Sequence, residues 1–338
     1  MVSLIIPVYN EEKIIEEKIK NSLSLDYPKD KLEIIVASDG STDNTKAIVE
    51  KYLAQGVRFF DFPRAGKLAT LNQVFPYVSG EILVLTDASA MFSKDALQKL
   101  LRHFADNNVG VVSGVERIKR VKKSVIDLSE RIYWNYETKI KEWEGKIYST
   151  VGANGPIYAI RKELYPALPS HLNICDDMAI SMSVLSKGKR IILEPEAVAF
   201  EKVSLNLGDE WRRKVRIATG AWGALFFYKK FLIPFFSPIA LPLFFHKILR
   251  WLTLPVMMVF LISNLFCTSL FYNALLTLQI IFHLFSIISL ILLCYNKKIP
   301  LGISFLGYFL LTNLAQVVGL FKAIFKPGKP IWQPIQRA

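Results

Sequence analysis

The chain has 338 residues, 52% of them apolar, with 42 Lys+Arg against 29 Asp+Glu and a formal charge of +13. So many apolar residues exclude a disordered chain, and the combination of greasy and basic argues against an ordinary cytosolic globule. The excess is local: from Lys202 onward there are 15 Lys+Arg and two acids, Asp209 and Glu210, so the last 137 residues carry all of it.

In chain order, the first 200 or so residues alternate short apolar runs with amphipathic helical patterns, which is α/β layering. Val2 to Val8, Leu32 to Ser38, Val57 to Phe60 and Glu81 to Thr86 read as strands, with Glu11 to Leu25, Asp43 to Gln55 and Lys67 to Val78 as helices between them. Repetition of this unit predicts a Rossmann-like, mostly parallel sheet covered on both faces, with its ligand at the carboxyl ends of the strands. Polar residues bunch there: Pro7-Val8-Tyr9-Asn10-Glu11-Glu12, Ser38-Asp39-Gly40-Ser41-Thr42-Asp43 and Thr86-Asp87-Ala88-Ser89. Asp39 and Asp87 end buried strands, where a carboxylate is costly unless something binds it, such as a nucleotide's base or ribose or a divalent cation. Asp43 reads as a helix cap or first-turn acid. Val151-Gly152-Ala153-Asn154-Gly155-Pro156, placed between a strand and an apolar stretch, permits close backbone approach or makes a plain turn. Cys175-Asp176-Asp177-Met178 opens a helical run to Lys187, and by itself reads as an N-cap pair.

Gly208 to Lys230 reads as an amphipathic helix. Trp211, Val215, Ala218, Trp222 and Leu225 share one face, with Arg212, Arg213, Lys214 and Arg216 elsewhere, the pattern of a helix on an anionic membrane surface. Pro234, Pro238 and Pro242 then interrupt an apolar run, which predicts an interfacial or re-entrant segment. Trp251 to Asn296 contains no charged residue for 46 positions, about 69 Å as helix, so it should fold back into two spans at about 247–267 and 273–295. A second uncharged run, Ile299 to Phe321, is long enough for a third at about 300–321, spanning or re-entrant. Lys229, Lys230, Lys247 and Arg250 put the N-terminal part in the cytoplasm by the positive-inside rule, and Asn296-Lys297-Lys298 agrees. The tail bases Lys322, Lys326, Lys329 and Arg337 disagree if all three runs span. No cleavable signal peptide is expected, since Met1 leads straight into a strand. Cys175, Cys267 and Cys294 have no metal-ligand spacing, and charge beside spans favours lipid headgroups over nucleic acid. The divisions are therefore 1–205 for the α/β domain, 206–246 interfacial, 247–323 membrane and 324–338 a basic tail.

In this order the motifs resemble those of family 2 glycosyltransferases. The similarity is narrowest to the processive, membrane-embedded branch that includes hyaluronan, cellulose and poly-N-acetylglucosamine synthases. The resemblance covers about residues 2–222 and implies a GT-A fold. It implies that Tyr9, Glu11 and Asp39 contact the base and ribose of a nucleotide-sugar, that Lys67 holds its diphosphate, and that Asn72 belongs to the donor site. Asp87 opens the position of the Asp-x-Asp motif for Mg²⁺ or Mn²⁺, with Ser89 where the family has the second Asp. Gly152, Ala153, Asn154 and Asp176 fall on the acceptor side, and Asp177 in the place of the general base. The family's Gln-x-x-Arg-Trp maps onto Arg213, Arg216 and Ile217. Only the Arg is kept, so Arg216 is a diphosphate contact and Trp222 reads as a membrane-interface anchor. The activity the resemblance implies is that of an inverting, metal-dependent, plasma-membrane transferase using a UDP-linked sugar and a polysaccharide or lipid-linked acceptor. With few polar residues in the spans (Asn264, Asn273, Gln279, His283, Asn313 and Gln316), export of a polymer would call for a homo-oligomer or a partner membrane subunit. Two other classes are a transporter or scaffold with a nucleotide-sensing domain, which leaves Asp177, Lys67 and Arg216 without a task, and a sugar-phosphate nucleotidyltransferase, whose Gly-rich N-terminal loop is missing here.

Overall fold

The computed structural model describes residues 1–119, 124–170, 174–204, 206–233, 237–295, 297 and 299–325. Pro234, Asn296, Lys298 and the tail bases Lys326, Lys329 and Arg337 lie outside the described residues.

The α/β alternation forms as expected. β1 (Val2–Val8), β2 (Leu32–Asp39), β3 (Val57–Phe62) and β4 (Ile82–Thr86) alternate with α1 (Ile15–Leu23), α2 (Thr45–Glu50) and α3 (Lys67–Val74). Then come β5 (Met91–Phe92), α4 (Ala96–Leu101), β6 (Val109–Ile118), α5 (Val125–Ile147), β7 (Ile157–Arg161), α6 (Asp176–Ser186), β8 (Arg190–Glu201) and α7 (Leu207–Phe227). The helices are shorter than their patterns: Glu11 to Ile14 is a turn, and Phe75–Tyr77 is a 3-10 turn after α3. The eight strands lie in the order β3-β2-β1-β4-β7-β6-β8-β5. Pairings β1–β2, β1–β4, β2–β3 and β6–β8 are parallel, while β7 runs antiparallel to both its neighbours and β5 antiparallel to β8. All seven residues of β1 are buried because both faces of the sheet are covered. Leu4, Ile6, Ile34, Val36 and Val84 face α1 and α4, whereas Ile5, Ile35, Leu83 and Leu85 face α3, α6 and α7.

Beyond α7 the chain forms α8 (Ala240–Trp251), α9 (Thr253–Asn264), α10 (Leu270–Cys294) and α11 (Leu301–Phe325). Helices α10 and α11, with 25 residues each, reach about 37 Å, enough to cross a hydrocarbon core of roughly 30 Å. The expected first span at about 247–267 is broken: α8 and α9 meet at Leu252 with a bend of 70°. Two features explain the break. Pro255 fits only a first helical turn, and His246, Lys247 and Arg250 of α8 are held on the α/β domain by Glu137 and Glu144 of α5. The run at about 300–321 is one unbroken helix.

Two expectations for α7 need correction. It is not a helix free to lie on lipid, because α11 packs along it: a Cβ at Gly319 would overlap Ala218 Cβ and stand 2.9 Å from Thr219 N. Small residues at such a crossing let two backbones approach closely. Trp222 is no interface anchor either; it is 4% exposed and meets Trp251 edge-on at 5.0 Å. We expect Gly319→Val to overpack this crossing, with a loss of about 1–3 kcal/mol. Thermal melting of the detergent-solubilised chain checks this, with Gly302→Val, which meets nothing within 4 Å, as the control.

Candidate active site

Strand direction assembles the site. Because β1, β2 and β4 are parallel, Val8, Asp39 and Thr86 finish on one edge of the sheet. Strand β7 enters antiparallel with Ile157 opposite Thr86, which brings Gly155-Pro156 beside Asp87. Strands β6 and β8 run parallel to β4 through β7, so Glu116 and Glu201 end on the same edge. A cavity of about 500 Å³ opens there, and ten of the thirteen expected residues line it: Glu11, Lys67, Asp87, Ser89, Gly152, Ala153, Asn154, Asp176, Asp177 and Arg216. The loop carrying 152–155 follows helix α5, not a strand.

At the centre Lys67 Nζ lies 2.8 Å from Asp87 Oδ1 and 3.0 Å from Asp176 Oδ2. Burial pulls the Lys67 ammonium down, but Asp176 and Asp87 outweigh it and raise its pKa. Burial pushes the Asp176 carboxyl up, Lys67 opposes, and the neighbouring Asp177 and Asp87 push it further up. Asp177 follows in the first turn of α6, where its Oδ1 accepts from Met178 N at 2.7 Å. Its Oδ2 faces Gly155, where a Cβ would sit 3.0 Å away. The acidic pair is seated on α7: Cys175 N donates to the Gly220 carbonyl at 2.9 Å, and a Cβ at Gly220 would lie 2.9 Å from that same nitrogen.

Asn154 is 3% exposed and its side chain is engaged, donating to the Gly114 carbonyl at 2.7 Å and accepting from Lys141 Nζ at 2.5 Å. It therefore braces the 152–155 loop. Lys141 is itself buried, and burial lowers its ammonium to about 8 against the pull of Glu137. Past Lys141 the cavity continues between α5, α7 and α11 to Trp134, Phe305, Tyr308, Phe309 and Gln316. Two ionic clusters wall this side. Arg213 and Lys214 pair with Glu130 at 2.7 and 2.6 Å, and the Tyr308 hydroxyl lies 2.8 Å from Glu130 and 2.9 Å from Glu210. His246, Lys247 and Arg250 of α8 converge on Glu137, with His246 also 2.7 Å from Glu144. Bases expected on lipid headgroups are thus turned inward to carboxylates.

Among known protein families, the pattern of glycosyl transferase family 2 matches residues 3–167. This stretch is a family 2 glycosyl transferase domain. A probable glycosyltransferase of Bacillus subtilis (strain 168), YdaM, is 29% identical over 254 residues, 70% of this chain and 58% of that protein. A poly-beta-1,6-N-acetyl-D-glucosamine synthase of Staphylococcus aureus (strain COL) is 28% identical over 225 residues, 65% of this chain and 54% of that protein. The chain thus spans a little over half the length of these relatives. Among solved structures, the mannosyltransferase PcManGT from Pyrobaculum calidifontis, in complex with GDP-Man and Mn²⁺, is similar with a TM-score of 0.69 and 26% identity, over 96% of this chain and 87% of that one. The fold is GT-A.

Where the resemblance expects a second acid for a metal, this chain has Ser89. Ser89 Oγ donates to Glu201 Oε1 at 2.8 Å, so a carboxylate from the end of β8 stands behind the hydroxyl. Among the described residues no three His, Cys, Asp or Glu side chains are grouped to hold a metal by themselves. The oxygen set of Asp87 and Ser89 nevertheless suits Mg²⁺ or Mn²⁺, ions commonly held by one or two carboxylates together with substrate phosphates. Tyr9 and Asp39 do not line the main cavity but form a corner beside it with Arg64, a residue outside every sequence motif. The Asp39 carboxylate is fully buried, accepts from Ala65 N at 2.7 Å and Gly66 N at 2.9 Å, and pairs with the Arg64 guanidinium, which lies 3.2 Å over the Tyr9 ring. Asn72 stands apart, donating to the Leu168 carbonyl at 2.7 Å. Arg64 was within reach of the strand-end rule, since it follows β3, whereas Glu201 ends β8, a strand the sequence pattern did not reveal. Gly220→Ala is expected to displace the Cys175–Asp177 segment and cut glycosyl transfer about tenfold or more, with secondary structure retained by circular dichroism.

Proposed function

We propose that this chain moves a sugar from a nucleotide-sugar to a membrane-held acceptor by one inverting displacement, with Asp177 as general base. The observation that carries the reading is Lys67 held between Asp87 and Asp176, next to Asp177, in a cavity continuous with helix α11. The acceptor hydroxyl would give its proton to Asp177 as its oxygen attacks the anomeric carbon, and the nucleoside diphosphate would leave on the opposite side. Lys67 and Arg216 would meet the diphosphate charge. Asp87 and Ser89 would hold Mg²⁺ or Mn²⁺, which when bound neutralises charge developing on the leaving group. Tyr9, Glu11 and Asp39, with Arg64, would form the base and ribose side, while Asn72, bonded to the Leu168 carbonyl, stands outside it. Gly152, Ala153, Asn154 and Asp176 form the acceptor side.

The donor proposed is UDP-linked, and a GDP-linked sugar is the competitor to test because the solved mannosyltransferase holds GDP-Man. A polysaccharide or lipid-linked acceptor fits a cavity that reaches α11. The apolar helices α10 and α11, with exposed Lys229 and Lys230 before them, support a plasma-membrane protein whose domain 1–205 faces the cytoplasm. A homo-oligomer or partner subunit would be needed if the product is exported as a polymer.

Membranes containing the chain, given UDP- and GDP-sugars with Mn²⁺, should release nucleoside diphosphate and lengthen a glycan or glycolipid. Asp177→Asn should lower turnover by about 10²–10⁴-fold with nucleotide affinity changed less than about threefold. Release of diphosphate at the wild-type rate by Asp177→Asn would remove the base from this residue.

A further inference from the structure

Lys18 has no part in the transfer chemistry assigned to Asp177 and its neighbours. It lies on α1 with no solvent exposure, and its Nζ donates to Thr86 Oγ1 at 3.0 Å and to the Ala90 carbonyl, over the face of Phe92 at 4.2 Å. Thr86 and Ala90 are the two ends of the loop that carries Asp87 and Ser89. An ammonium has three donors and no acceptor, so the Thr86 hydroxyl must accept from Lys18. Its own proton then goes to a carbonyl, and that of Pro156 at 2.8 Å is nearer than that of Asp87 at 3.3 Å. Pro156 follows Gly155, the residue against Asp177 Oδ2. One buried cation therefore reaches both halves of the site through the Thr86 hydroxyl.

A fully buried lysine is rare, and replacing buried charge by an apolar side chain of similar volume is often neutral or stabilising. Packing alone would thus be served as well by methionine. We propose that Lys18 is a positioning residue for glycosyl transfer: through the Thr86 hydroxyl it fixes the 86–90 loop to the 152–156 loop, so that the donor's leaving group and Asp177 keep one relative placement. This rests on the transferase function proposed for the same site.

The test uses the full chain in detergent, comparing wild type with Lys18→Met, Thr86→Val, the double variant and Thr86→Ser. Hydrogen exchange is measured without ligand over residues 150–157, and turnover with the donor that wild type accepts. Lys18→Met and Thr86→Val should each speed exchange in that segment and lower turnover at saturating donor about tenfold, with donor KM within about threefold. The double variant should be no worse than either single one, because both cut the same chain of bonds, and Thr86→Ser should stay near wild type. Unchanged exchange at 150–157 in both variants, or losses that multiply in the double variant, would overturn the proposal. If Lys18→Met fails to fold, Thr86→Val, which leaves the bond to Ala90, decides. A wild type that turns over no donor would sink the transferase reading alone, and the exchange result would still decide whether Lys18 joins the two loops.

Discussion

Lys67 sits between two carboxylates that could not otherwise share so little solvent. Asp87 ends β4 and Asp176 begins α6, and the ammonium lies within 3.0 Å of both. Carboxylates this close raise one another's proton affinity, and burial adds to the effect, so the arrangement holds only while a cation stands between them. Much of the surrounding structure serves to bring these groups together. The register of β7 against β4 delivers the 152–156 loop, Gly220 makes room for the Cys175–Asp177 segment, and Asp39 ties down the turn from which Lys67 starts α3. A diphosphate entering the cavity meets a lysine already charged and partnered, and must compete with Asp87 and Asp176 for it.

The same economy of buried charge recurs away from the centre of the site. Burial pushes the Lys18 ammonium down to about 7, with Asp87 and Glu201 pulling it back up. Burial would raise the Glu130 carboxyl, yet Lys214 and Arg213 bring it to about 2. Each such group is isolated from water and dependent on a partner distant in the chain. Pairs of this kind are weak as glue but strongly directional, and losing one member leaves an uncompensated charge.

The local half of this architecture was legible in the sequence, and the long-range half was not. Apolar runs located the first four strands to within a residue or two, and the rule that ligands gather at carboxyl ends of parallel strands pointed to Glu11, Asp39 and Asp87, whereas Lys67 and Asp177 came from the family resemblance. That rule passed over Arg64, two residues beyond the end of β3, and it could not reach Glu201, because nothing in sequence tells that β8 returns to the same edge. Arg213 and Lys214 on an amphipathic helix look the same whether they face lipid or a glutamate 83 or 84 residues earlier, and only packing distinguishes the two. The break at Leu252 has the same origin: hydropathy sees an uncharged run, whereas Glu137 and Glu144 on α5 hold the preceding His246, Lys247 and Arg250. Asn72 and Asn154 matched motif positions, yet both spend side-chain hydrogen bonds on the backbone.

The excess of +13 takes on a different meaning from these pairs. Glu130 and Glu137 belong to the electrically balanced N-terminal part, but their partners Arg213, Lys214, Lys247 and Arg250 belong to the basic C-terminal part. Charge is therefore matched across the boundary between catalytic domain and apolar helices. Separating the two parts would strand buried carboxylates, at about 3–5 kcal/mol for each pair broken by loss of a partner. Lys229 and Lys230 stay exposed, whereas Lys247 and Arg250 are committed to Glu137. A catalytic domain joined in this way is seated on its helices, not tethered to them. The wall that Tyr308 and α11 give the cavity accordingly keeps its place relative to Asp177, which a mobile linker would not allow.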